Sequence, residues 1–174
     1  MTSRMRLHMP DSRVIDDLAA HLEKAGAPDR AAMHMGLLLA WCANHDLLSQ
    51  ACKRQHADLI LKTRVRELDG SELFVRMAAG RLDTGFFSEA GRRFVESYYE
   101  DYLHDYAVAL GLDPAHPYPD GSDMNAWDAY DLVAPVLTKR LQASLAPPTR
   151  AKVVNLFSKR PKPAGKRPWL RLVR

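Results

Sequence analysis

Between Ser88 and Leu110 the chain places Glu96 and Glu100 one helical turn apart, and Asp101 and Asp105 likewise, with Glu89 upstream. Acid repeated at this spacing is either a solvated helix surface or a recognition face. In the second case it draws a positively charged partner by long-range attraction. Tyr98, Tyr102 and Tyr106 border the same stretch. Tyrosine is frequent in interfaces, and equally it packs in cores with its hydroxyl at the rim. The expectation carried forward is a partner-binding face made of Glu96, Glu100, Asp101 and Asp105.

The same helix pairs Glu100 with His104 at four residues and Asp101 with His104 at three. Di-iron helical bundles draw Glu-x-x-His from two helices and further carboxylates from two more. The chain contains no Glu-x-x-His, and Asp17 with His21 would add a second pair only through the accident of packing. No metal and no other cofactor is expected. His34 lies among apolar residues, as a ligand or base, or as a buried ring bonded to a neighbouring backbone or carboxylate. With no nucleophile in a recognisable setting, the buried ring is the reading preferred, and no catalytic residue is assigned. Cys42 falls at the C-terminal end of its helix, where the dipole disfavours a thiolate, so it is expected to be inert.

Charge divides the chain in two. Residues 1–149 hold 16 Lys and Arg against 21 Asp and Glu, a formal charge of −5. Residues 150–174 hold nine basic residues and no acid, so the net +4 is an acidic body with a basic tail. Lysine and arginine clusters neutralise phosphates, and an aromatic ring among them stacks on a base. Lys159, Arg160, Lys162, Lys166, Arg167, Trp169 and Arg171 are therefore the candidate nucleic-acid contacts of an alternative function. The body offers no helix-turn-helix or zinc finger to read sequence, and a solubilising extension or a tail folded back on the acidic helix accounts for the charge equally well.

The elements that would position these groups are helical. From Ala31 to Ala43 nearly every residue is apolar, so this segment is expected to be a central helix, over about 28–45, buried on most sides. Pro28 suits its first turn, Asp29 complements the dipole, and Asn44-His45-Asp46 suits its end. Gly36 inside it implies close approach of another backbone. Before it, Asp11 or Ser12 is expected to cap a helix running to about Lys24, with Val14, Ile15, Leu18, Ala19 and Leu22 on one face. After it, Ser49 caps a charged third helix stopped by Asp69-Gly70, and Ser71 starts a short one ending at Gly80. Arg81 to Phe87 reads as a loop. Ser88 caps the amphipathic helix of Phe94, Val95, Tyr98, Tyr99, Tyr102, Leu103, Tyr106 and Leu110, closed by Gly111. Asn125 caps the last long helix, in which Pro135 is expected to make a kink or a fresh start. No stretch alternates at period two. The fold expected is an all-α, compact multi-helix bundle around the central helix. It comprises an N-terminal arm at 1–10, a helical domain at 11–146 and a basic, proline-containing tail at 147–174.

Several of these segments together resemble a family of uncharacterised bacterial helical domains. His34-Met35-Gly36-Leu37-Leu38-Leu39-Ala40-Trp41 followed by Leu47-Leu48-Ser49 matches its H-x-G-x-x-L-A-W opening. Ser71-Glu72-Leu73-Phe74 with Gly80-Arg81-Leu82 comes next. Gly91, Phe94, Tyr98-Tyr99, Tyr102 and Asp105-Tyr106 resemble its tyrosine-rich helix, and Trp127, Tyr130, Pro135 and Arg140 its closing helix. The resemblance spans roughly residues 31–141; the first 27 residues and the basic tail depart from it. Relatives often occur near secreted polymorphic toxins, which implies an immunity-type binding protein and no catalytic residues to carry over.

Cys42 and Cys52, the two cysteines, read as reduced thiols of a cytoplasmic protein. MTSRMRLHMPDS lacks the apolar core of a secretory signal, and the longest apolar run, Met35–Ala43, falls far short of the roughly 20 residues that span a bilayer. The function expected is non-enzymatic: binding and neutralising a cognate protein toxin, with no membrane role. The alternative is a nucleic-acid-associated helical protein acting through its tail.

Overall fold

The central helix, α2 (Pro28–Asn44), is buried along almost its whole length, with every residue from His34 to Ala43 inside. Pro28 occupies its first turn beside Asp29, as expected. The computed structural model describes residues 12–119 and 124–146. Around α2 the described chain runs β1 (Val14–Asp17), α1 (Leu18–Ala25), then α3 (Gln50–Gln55), α4 (Ala57–Arg64), α5 (Gly70–Ala78), β2 (Arg81–Asp83), a 3-10 turn (Thr84–Phe86), α6 (Glu89–Ala109) and α7 (Ala126–Leu145). Among the described residues the fold is mostly helical, with one small two-stranded sheet. Among the described residues no helix is long and apolar enough to cross a membrane.

Gly36 marks the tightest seam. A Cβ there would collide with the Gly70 carbonyl and lie 2.5 Å from the Ser71 amide nitrogen. A Cβ at Gly70 would in turn meet the Gly36 carbonyl oxygen at 2.6 Å. Two small residues thus let the α2 and α5 backbones touch, and Leu73, Phe74 and Met77 of α5 bury beside the contact. On other sides α2 meets α6, whose buried stripe is Phe94, Val95, Tyr98, Tyr99, Tyr102 and Tyr106, and α7, through Tyr130, Val133 and Leu137. Trp41, fully buried, stacks on His45 and donates its indole N–H to the Thr138 hydroxyl at 3.2 Å.

The caps fall where the side chains dictate. Ser49, Ser88 and Asn125 accept hydrogen bonds from the first-turn amides of α3, α6 and α7. Pro135 lies inside a helix that continues on both sides, so no fresh helix begins there.

Three expectations are corrected. The helix expected from Asp11 or Ser12 to Lys24 is strand β1 followed by the short α1, because Asp17 takes an extended conformation and caps α1 by accepting from the Ala19 amide. Arg81–Phe87 is not a plain loop: Arg81–Asp83 pairs antiparallel with β1 as β2, and a 3-10 turn follows. The charged third helix is broken at His56 into α3 and α4, and Asp69 begins α5 as its cap, accepting from the Glu72 amide. The arm at 1–10 and the tail at 147–174 lie outside the described residues.

Candidate functional site

β1 supplies the residue around which the polar interior is organised. Its pairing with β2 carries an extra residue between Val14 and Asp16, opposite the step from Asp83 to Leu82. An irregularity of this kind re-aims a side chain. Asp16 reaches between α1, α2 and α6, and its side chain is only 12% exposed.

Four donors converge on this carboxylate. Oδ1 lies 2.7 Å from His21 Nε2 and accepts from the Asp17 amide at 2.7 Å. Oδ2 accepts from the Tyr99 hydroxyl at 2.5 Å and lies 3.3 Å from His34 Nε2. On the far side of His21, Nδ1 is 2.7 Å from the Tyr118 hydroxyl. A neutral His21 satisfies both contacts by donating from Nε2 to Asp16 and accepting at Nδ1 from Tyr118. The two imidazoles meet edge to face with centroids 4.6 Å apart.

Burial pushes the Asp16 carboxyl up, but the bonds from His34, Tyr99, His21 and the Asp17 amide outweigh it and hold the group well below the usual carboxylate range. Burial pushes the His34 imidazole down against the pull of Asp16, so the neutral ring is favoured. The site is therefore a carboxylate ion beside a neutral His34 imidazole, and among the described residues no lysine or arginine pairs with it. His34 Nδ1 and the Tyr106 hydroxyl, on rings 6.1 Å apart, are buried without a hydrogen-bond partner among the described residues. Asp16, His21 and His34 together offer three donor atoms within 4.8 Å of one another, the one such group among the described residues.

Tyr99 links this interior to the surface. Its ring lines an open depression together with Arg13, Val14 and Ile15 of the first strand region and Glu96 and Glu100 of α6. Arg13 crosses the depression to pair with Glu96 at 3.3 Å. Glu100 and Asp101 are exposed, and among the described residues no cation pairs with either. Asp105 is differently placed. It takes a two-pronged contact from Arg140 at 2.8 and 3.1 Å and the Tyr98 hydroxyl at 2.6 Å, binding α6 to α7. Of the four acids expected to form one recognition face, Glu96 and Glu100 line the depression, Asp101 is exposed outside its lining, and Asp105 closes a helix seam.

Other expected residues sort as follows. His34 is the buried ring bonded to a carboxylate; the carboxylate, Asp16, carried no signal in the sequence beyond adjacency to the capping Asp17. Tyr98, Tyr102 and Tyr106 pack in the core, and the Tyr102 hydroxyl donates to the His34 carbonyl at 2.6 Å. Both cysteines are free and buried; burial pushes the Cys42 thiol far up and the Cys52 thiol up to about 12, so neither is a ready nucleophile. His104 is exposed and stands apart from the Asp16 group. Lys159, Arg160, Lys162, Lys166, Arg167, Trp169 and Arg171 lie outside the described residues.

Comparison with curated proteins and with solved structures finds no match. A family model does match, over residues 14–118. That span opens on β1 and closes on Tyr118, so it encloses Asp16, His21, His34, Tyr99 and both glycines of the α2–α5 seam, and leaves out α7 and the basic tail. The chain belongs to the family described as Domain of unknown function (DUF7832).

Proposed function

We propose that this protein is a non-enzymatic, cytoplasmic binding protein of the immunity type, which neutralises a cognate bacterial toxin by direct contact. The observation that carries the reading is the surface around the Tyr99 depression. Glu100, which lines it with Glu96 and Tyr99, and Asp101, the next residue of α6, stand exposed and without a cation pair among the described residues. Unpaired acid on a rigid helix favours fast capture of a basic surface and suppresses acidic partners. Toxins that cut nucleic acid carry such a basic surface, because they must bind phosphates. The body's formal charge of −5 extends the same attraction over a longer range.

The test uses the full chain as bait in a native lysate, beside a Glu100→Lys/Asp101→Lys double variant. The wild type is expected to retain one stoichiometric basic protein, with affinity falling steeply as salt is added. The double reversal is expected to weaken that capture at least tenfold, the scale on which close interfacial charge pairs act. Undiminished capture by the variant would remove this surface from the interface. Recovery of nucleic acid in place of a protein would transfer the function to the basic tail.

A further inference from the structure

We propose that Asp16, His21 and His34 form a binding site for a first-row divalent transition metal, of which zinc is the occupant best suited to the donors. Two imidazole nitrogens and one carboxylate oxygen are a donor set that zinc accepts readily, with three protein ligands leaving a position for water.

The geometry favours this over a purely hydrogen-bonded buckle on three grounds. First, the spacing fits. Donors held tetrahedrally at about 2.0–2.1 Å from zinc stand about 3.3 Å from one another. His34 Nε2 and Asp16 Oδ2 are 3.3 Å apart, long for a charge-assisted hydrogen bond, and all three donor atoms lie within 4.8 Å. His21 Nε2 stands 2.7 Å from the carboxylate's other oxygen, Oδ1, so the ion would be met by both oxygens or, with one as ligand, after a small rotation of the carboxylate.

Second, no lysine or arginine among the described residues pairs with Asp16, so no side-chain cation of that kind competes with an ion for the carboxylate. Third, an outer partner is already in place for His21, whereas His34 Nδ1 has none among the described residues. Metal-bound histidine characteristically donates its other ring N–H to an oxygen. With Nε2 on the metal, His21 Nδ1–H would donate to the Tyr118 oxygen, 2.7 Å away. Access is available because His21 and Asp16 reach solvent, at 18% and 12% side-chain exposure, whereas His34 closes the inner wall. The ion would tie β1, α1 and α2 together from three different elements. The proposal is independent of the partner assigned above, and it departs from the sequence reading, which expected no metal.

The test uses the full-length chain made without a histidine tag. Metal content after gel filtration is measured by mass spectrometry, and chelator-stripped protein is titrated with Zn2+ and Co2+. The expected result is one metal per chain, visible d–d absorption from bound Co2+, and a rise in melting temperature with Zn2+. His21→Gln, at the solvent edge, is expected to fold and to lose at least tenfold in Co2+ affinity. His116→Gln, at an exposed histidine, is expected to leave it unchanged. For a readout that needs no variant, paramagnetic shifts in the Co2+ form are expected on the His21 and His34 ring protons. Absence of stoichiometric Zn2+ or Co2+ binding by the wild type would overturn the proposal. So would binding that survives His21→Gln, or paramagnetic shifts on other histidines.

Discussion

The two faces of α2 solve the burial problem in opposite ways. Toward α5 the helix removes side chains: Gly36 and Gly70 let two backbones touch, and apolar neighbours close over the contact. Toward β1 and α6 it inserts a polar ring, His34, and the protein must then provide a carboxylate, a second histidine and two tyrosines to satisfy what it has buried. The first face is held by shape and fails by collision. The second is held by matched donors and acceptors and fails when one is left alone. Among the described residues, only the second has unmatched polar groups and an open side, so it is the face where chemistry can occur.

The largest effect should come from breaking the seam. Gly36→Ala would raise intrinsic helix propensity by about 1 kcal/mol in an open helix. Here its Cβ meets backbone rather than a flexible side chain, so the collision wins, and the variant should lose about 3 kcal/mol in denaturant unfolding. A gain in stability would show that α2 and α5 stand further apart than described.

Removing the hub of the polar face ranks second. Asp16→Ala leaves the His34 and Tyr99 donors without an acceptor and should cost about 2 kcal/mol, tempered by water entering from the exposed side. The same carboxylate makes a pH signature. Its folded pKa lies below the unfolded value of about 3.9, so its contribution is fully present above that pH and is lost as pH falls below it. In chelator-treated protein, wild type should therefore lose more stability than Asp16→Ala between about pH 5 and pH 3. Parallel acid curves would remove Asp16 from the network.

The smallest effects separate two neighbouring tyrosines on α6. Tyr102 gives its hydroxyl to the His34 carbonyl, so Tyr102→Phe should cost about 1 kcal/mol. The Tyr106 hydroxyl is buried without a partner among the described residues, so Tyr106→Phe should be neutral or stabilise by up to about 1 kcal/mol. Thermal melts of the two variants side by side would check the order, and equal losses would indicate that Tyr106 has a partner after all, an ordered water for instance.

Much of the helical frame was legible because its information is local. The apolar run through Ala31–Ala43, the three- and four-residue spacing from Phe94 to Leu110, and the caps at Ser49, Ser88 and Asn125 each depend on residues within a turn or two. Gly36 belongs with them: a glycine in a helix of otherwise large apolar residues announces close approach, although its partner Gly70 is not named by any local rule. His34 was legible as a buried ring bonded to a neighbouring backbone group or carboxylate. Which carboxylate was not.

Only the tertiary structure decided that Asp16, and not its neighbour Asp17, turns inward. The strand that aims it is four residues long, has no alternating pattern, and exists because Arg81–Asp83 comes to lie beside it. Asp16 meets Tyr99 across 83 residues, and His21 meets Tyr118 across 97. Helices repeat their reasons every turn, so a sequence can declare them. A polar cluster closed by long loops of chain depends on where every intervening helix packs, and no spacing within the sequence encodes that sum.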